Sequence, residues 1–191
     1  MLDRDASPEV RAHLLDARGT AMTVLQDFEQ AERTYTEAII FAAQGKGDVL
    51  QRLQYNMAMM YWRWSRVHQA ERLFRALLLG LRAPDTALSL EVTTRLAQIL
   101  REQGRFAEAL PMLRQSMSST VRLYGPRSTF VLLQHDALCD LYQESGNYTA
   151  AEQQYKERQA LSRQLHGEDS FDYSMGLFNY ARLQEMKGDL E

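Results

Sequence analysis

The sequence predicts an all-α fold of stacked helix pairs, and three observations carry that expectation. An alanine followed by Glu or Leu, early in an amphipathic helix, recurs as Ala31, Ala70, Ala109 and Ala151, at separations of 39, 39 and 42 residues. Between the copies stand short links rich in glycine, proline and polar residues, and no run alternates with period two for long enough to make a strand. Self-similarity at such a period marks repeated supersecondary units, each leaning on its neighbours, and a stack of that kind is usually a binding surface rather than a reaction vessel.

The first helix is expected over 8–25. Ser7 supplies a capping hydroxyl, Pro8 takes the first helical position and Glu9 puts an acid in the first turn. The second, over 28–44, carries Phe28, Ala31, Tyr35 and Ala38 and ends at Gly45-Lys46-Gly47-Asp48. Helices over 49–64, with Asn56, Ala58 and Tyr61, and 67–81, with Ala70 and Phe74, form the next pair and stop at Arg82-Ala83-Pro84-Asp85-Thr86. A third pair, 86–103 and 106–122, has Leu96, Ala97, Gly104, Phe106 and Ala109 in the corresponding places, and Tyr124-Gly125-Pro126-Arg127-Ser128 closes it. A fourth, 129–145 and 148–165, has Leu138, Cys139, Tyr142, Gly146, Tyr148, Ala151 and Tyr155 before His166-Gly167-Glu168-Asp169-Ser170. A ninth helix over 171–187 begins a fifth copy with Asn179-Tyr180-Ala181-Arg182-Leu183. The chain thus reads as a single array with units near 8–47, 48–85, 86–127, 128–169 and 170–191, the last one incomplete.

The small residues Gly19, Ala58, Ala97, Cys139 and Ala181 are assigned to close crossings on the first helices. Ala31, Ala70, Ala109 and Ala151 take the reciprocal places on the second helices. Extra methylenes in such slots cost about 1–3 kcal/mol. The aromatic side chains of Phe28, Tyr35, Phe74, Phe106, Tyr148 and Tyr155 are expected to fill the layer between units.

This pattern resembles the tetratricopeptide repeat, which places Leu-Gly or Leu-Ala on a first helix and Ala-x3-aromatic on a second. The standard repeat of that family has 34 residues. Units of 39 and 42 residues with these links are similar instead to repeats of the kinesin-light-chain type. The resemblance implies a right-handed superhelical α-solenoid whose first helices line a concave groove, and a non-enzymatic scaffold that binds a protein or peptide there.

Composition excludes several other classes. A net charge of -3 carries no signature of nucleic-acid or anionic-membrane binding. The start lacks a basic segment followed by an apolar one, and no window approaches 18 continuous apolar residues, so neither a signal peptide nor a membrane span is expected. The single cysteine, Cys139, points to a reducing, cytoplasmic setting. In that setting the sequon Asn147-Tyr148-Thr149, placed where two helices turn, carries no weight.

No cofactor or metal is expected. Cys139 and His135 stand four apart on one helix, but zinc wants four ligands, or three and a water, and His13, His68 and His166 are isolated. No oxyanion-forming turn accompanies the pair, and no phosphate loop, nucleophile elbow or dinucleotide fingerprint occurs. No catalytic set emerges.

Spacings of three and four put certain residues on one face of each first helix, and the resemblance says which face is inward. There stand Arg52, Tyr55, Asn56, Met59, Trp62 and Arg63 in the second unit, Arg95, Gln98 and Arg101 in the third, Asp136 and Asp140 in the fourth and Asn179 in the fifth. His13 and Asp16 join them from the first unit, and Glu144 from the fourth. Arginine beside aromatic and Met bulk, followed by acids, suits a peptide with acids at one end and bases at the other. Asn56 and Asn179 fall where family members hold a peptide backbone. The clamp with which some members grip a chaperone tail would fall on Asp16, Thr20, Asn56, Glu91 and Arg95. Two of these match, and Asp16 and Glu91 carry the wrong sign, so that adaptor role is rejected.

The fifth copy leaves the face of Leu177, Tyr180, Ala181 and Leu183 without a following helix. Self-association through this incomplete C-terminal unit is therefore expected, as in a piece of a longer polypeptide. The alternative to a scaffold is a peptide-sensing regulatory domain of a larger bacterial regulator.

Overall fold

The computed structural model describes residues 7–45, 49–81 and 85–188. The described residues form nine α-helices and no strand: α1 (Pro8–Val24), α2 (Phe28–Ala42), α3 (Val49–Arg63), α4 (Val67–Gly80), α5 (Ala87–Glu102), α6 (Phe106–Tyr124), α7 (Thr129–Glu144), α8 (Tyr148–His166) and α9 (Phe171–Gly188). Each lies within a residue or two of its expected span. Two links, Gly45-Lys46-Gly47-Asp48 and Arg82-Ala83-Pro84-Asp85-Thr86, fall partly outside the described residues. The chain forms two compact units, Met1–Arg82 with α1–α4 and Ala83–Glu191 with α5–α9.

In the first unit the helices pack as pairs, α1 on α2 and α3 on α4, with α2 and α1 against α3. The α1 start is capped as its sequence dictates: the Ser7 hydroxyl accepts from the Val10 amide at 3.3 Å, ahead of Pro8. Gly19 lets α1 lie close on α2, since a Cβ built on it would lie 2.9 Å from the Tyr35 ring. Ala31, Ala58, Ala70 and Phe74 are fully buried, and Tyr35 nearly so.

In the second unit α5 packs on α6, α6 on α7, α7 on α8 and α8 on α9, with α5 touching α7. Ala97, Ala109 and Ala151 are fully buried and Cys139 is 1% exposed, as the crossing roles require. Ala181 departs from expectation because it is exposed, and the buried small residue on α9 is Gly176. The cause lies in what covers α9, which packs chiefly on α8, with a lesser contact to α7 where Gln143 Nε2 donates to Met186 Sδ at 3.3 Å. Arg158 Nη1 and Gln159 Oε1 of α8 press on Gly176, where a Cβ would meet them at 2.6 and 2.5 Å. Leu183 points the same way and is fully buried, whereas Leu177 stays 47% exposed. Tyr155 is buried, and Phe28, Phe106 and Tyr148 are half-buried beside the turns.

Each intra-repeat turn passes through one residue in the left-handed region: Gln26, Ser65, Gly104 and Gly146, at φ 62°, 59°, 73° and 74°. A residue with a Cβ is strained there by about 1–2 kcal/mol, so Gln26 and Ser65 keep the turn at a cost that Gly104 and Gly146 avoid. Ser65→Gly is accordingly expected to stabilise the first unit by about 0.5–1 kcal/mol, the released strain exceeding the entropy a glycine adds to the unfolded chain. Urea unfolding followed by tryptophan fluorescence measures this directly, because Trp62 and Trp64 both lie in that unit. At two of the four turns the following residue caps the next helix with its side chain: Asp27 Oδ1 accepts from Gln30 N at 3.3 Å and Asn147 Oδ1 from Ala150 N at 3.2 Å, whereas Arg66 and Arg105 make no such bond. Asn147, the acceptor of the sequon, thus serves the α8 start.

Candidate functional site

On the first unit the exposed faces of α1 and α3 lie side by side, and α3 reaches across to α1. Arg52 Nη2 stands 2.7 Å from His13 Nδ1, and Arg52 Nε 3.5 Å from Asp16 Oδ2. Asn56 Nδ2 donates to Asp16 Oδ1 at 2.7 Å. The Arg52 side chain is 51% exposed and Asp16 only 14%. Asp16 therefore orients both donors from beneath, leaving part of each fork toward solvent. One turn on, Met59 and Trp62 are half-buried and Arg63 is exposed. Tyr55 does not belong to this surface. It is buried with its ring tilted against Phe74 at 5.8 Å, because its place on α3 faces α4.

Sequence reasoning missed a second cluster in this unit. The Arg66 guanidinium lies 3.4 Å over the Trp64 ring, Trp64 stacks on Phe28 and Tyr61, and Tyr61 donates to Glu32 at 2.5 Å. The alternation Trp62-Arg63-Trp64-Ser65-Arg66 was the available signal. It spans a helix end and a turn, so no single helical face collects it.

On the second unit α5 and α7 frame a recess of about 170 Å³, lined by Thr94, Gln98, Arg101, Ala137 and Asp140 with Leu113. Arg101 Nη1 bridges from α5 to Asp140 at 2.8 Å and Glu144 at 3.3 Å on α7. Arg101 is 16% exposed and the two acids are about half exposed, so the charge most hidden belongs to α5 and its partners can turn away to solvent. Arg95 Nη1 donates to Gln98 Oε1, and Gln98 Nε2 to Glu102 Oε1, both at 3.3 Å. Asp136 is engaged elsewhere: Arg158 of α8 donates to it and, through Nη2, to Asp172 of α9 at 2.9 Å. Asn179 is half-buried on α9. The acids at one end and bases in the middle thus partly neutralise each other across neighbouring helices.

His135 and Cys139 form no joint site. His135 Nδ1 lies 3.0 Å from Gln154 Oε1 of α8, and burial pushes the Cys139 thiol far up, which suits a packing residue and not a nucleophile. No helix among the described residues is long and apolar enough to cross a membrane.

Side-by-side helical hairpins with polar first-helix faces define the class: a helical-repeat protein of the α-solenoid type. The Tetratricopeptide repeat family profile matches residues 48–120 and again 85–157, together more than half of the chain, and the chain belongs to that family. The fold is similar to the crystal structure of BtubC (BKLC) from P. vanneervenii, with TM-score 0.82 and 21% identity over 92% of this chain and 72% of that one. It is also similar to a candidate kinesin light chain of Podosopora anserina with nearly identical TPR-like repeats. One crystal structure of that protein gives TM-score 0.81 and 16% identity over 95% of this chain and 89% of that one. A substituted form of the same protein gives 0.81 and 15%, over 95% and 88%. No curated protein matches in sequence. At such identities the structures speak for the fold alone, an all-α array of kinesin-light-chain-like repeats, in a family whose members generally mediate protein interactions.

Proposed function

We propose that the chain is a non-enzymatic interaction module whose first-helix faces bind an extended or helical peptide of a partner protein. One observation carries this reading furthest. Arg101 is anchored on α5 and held through Nη1 by half-exposed acids of α7 at the edge of a recess, so a partner's carboxylate can take their place on its planar fork. Arg52 offers the same exchange on α3, seated on Asp16. Asn56, Gln98 and Asn179 add amides able to meet a peptide backbone. Nucleic acid is not the partner on this reading, given the net charge of -3. A cytoplasmic setting fits the single, buried cysteine.

Partner capture tests it. Arg52→Glu/Arg101→Glu should lose proteins that the wild-type chain retains from an extract, with unchanged helical circular dichroism. If every captured protein survives the double reversal, those faces do not bind.

Self-association belongs to the same reading, through α9, where Phe171, Phe178 and Leu177 are 81%, 61% and 47% exposed. Sedimentation velocity across a concentration series should show a rising average mass that Phe178→Glu abolishes. A constant monomer mass for both chains refutes it.

A further inference from the structure

A recess of about 470 Å³ opens where α5, α6 and α7 of the second unit meet, a volume within the range of small-molecule sites, about 300–1,000 Å³. Its walls are Leu90, Tyr124, Phe130 and Leu133. Tyr124 and Phe130 stack with centroids 4.2 Å apart, yet remain 38% and 48% exposed, and Leu133 is 60% exposed. Two further lining residues, Thr120 and Gln134, are 1% and 7% exposed. Gln134 Nε2 donates to Thr94 Oγ1 at 3.4 Å, but neither Gln134 Oε1 nor Thr120 Oγ1 has a hydrogen-bond partner among the described residues. Buried polar atoms without partners are uncommon in folded proteins.

The next repeat shows what fills this place when nothing is to enter it. Forty-two residues on, the separation of Ala109 from Ala151, Thr120 corresponds to Ser162, Phe130 to Asp172, Thr94 to Asp136 and Ser116 to Arg158. There Ser162 donates to Asp172 at 2.5 Å, and Arg158 occupies the space between Asp136 and Asp172. Here the arginine is replaced by Ser116, whose hydroxyl lies 3.4 Å from Thr94, and the carboxylate by Phe130. The same exchange takes away the partner of Thr120 and leaves the recess.

We propose that this recess binds a small neutral aromatic alcohol, a para-substituted phenol in its simplest form. The ring lies against Phe130 and Leu133, where aromatic and apolar surface is still exposed. A hydroxyl meets both unpartnered atoms at once: its proton goes to Gln134 Oε1, which can only accept, and its oxygen accepts from the Thr120 hydroxyl. Both atoms are occluded from solvent, and rotation of the Gln134 amide and about the Thr120 Cα–Cβ bond turns them to the ligand. Neutrality follows from the lining charges, Glu91 and Arg95, which are of opposite sign.

The test titrates the full chain, ¹⁵N-labelled, with 4-ethylphenol and with ethylbenzene. Amide resonances of Thr120, Phe130 and Gln134 should shift saturably with the phenol, and ethylbenzene should bind about tenfold more weakly for want of the hydrogen bonds. Gln134→Leu should remove that tenfold preference while leaving ethylbenzene unchanged. Should that variant not fold, Thr120→Val gives the same readout. Equal affinity for the two compounds, a preference that survives the substitution, shifts confined to other helices, or no saturable shift at all overturns the proposal. Partner capture through Arg52 and Arg101, neither of which lines this recess, is scored separately, so either reading can fail without the other.

Discussion

Phe74→Ala is expected to destabilise the α1–α4 unit by about 3–5 kcal/mol, the range for deleting a fully buried aromatic ring. Phe74 is 0% exposed and packs against the tilted Tyr55 ring, so its removal opens a cavity between α3 and α4. With Trp62 and Trp64 both on this unit, urea unfolding followed by tryptophan fluorescence should move to lower denaturant, while far-UV circular dichroism keeps a transition from α5–α9. A cost under about 1 kcal/mol is that of a site which collapses without a cavity, and it would show the layer to be loosely packed.

Arg158→Met should cost the second unit about 3 kcal/mol, the lower end for removing one member of a buried ionic group, since its carboxylate partners are about a third exposed. The Arg158 side chain is 6% exposed and ties α7, α8 and α9 through Asp136, Asp172 and the Asp172 carbonyl oxygen. The acids differ in sign. Burial pushes the Asp136 carboxyl up, and Arg158 only partly offsets this. Burial also pushes Asp172 up, but Ser162, Arg158 and His166 outweigh it and hold the carboxyl below its ordinary range.

A depressed carboxylate adds stability above its unfolded value and loses it as pH falls through the folded one. A raised carboxyl does the reverse. In the wild type, acidification below about pH 4 should therefore weaken the Asp172 contribution. Without Arg158, Asp136 has lost the charge that offset its burial and Asp172 keeps only Ser162 and His166, so acidification should stabilise the variant relative to the wild type. Unfolding by circular dichroism at pH 3 and pH 7 decides it: parallel pH dependence in the two proteins would mean that Asp172 owes its state to Ser162 and His166 alone.

The repeat was legible because its marks are local. Capping at Ser7 and Asn147, the left-handed residue at Gly104 and Gly146, and the small residue at Ala31, Ala70, Ala109 and Ala151 follow from backbone sterics and contacts within one hairpin. The candidate site was legible only as a set of faces. Arg52, Asn56, Gln98 and Arg101 do lie on the first-helix surface, because helical geometry alone assigns a face. Tyr55 and Asp136 left that surface for neighbours that spacing does not reveal, α4 in one case and α8 in the other. Ala181 was placed by analogy with Cys139, and is exposed because α9 is covered chiefly by α8, which meets it at Gly176.

The amino-acid sequence by itself determined the fold class, the nine helices and their pairing, since capping, turn chemistry and hydrophobic period act over a few residues and repeat unit after unit. The tertiary structure alone decided which charges face each other across helices, that Arg158 is buried between two acids, and that Ser116 and Phe130 line a recess where the next repeat sets Arg158 against Asp172. Those outcomes depend on side chains about forty residues apart arriving at the same point, and one volume exchanged for another there is invisible to any local pattern.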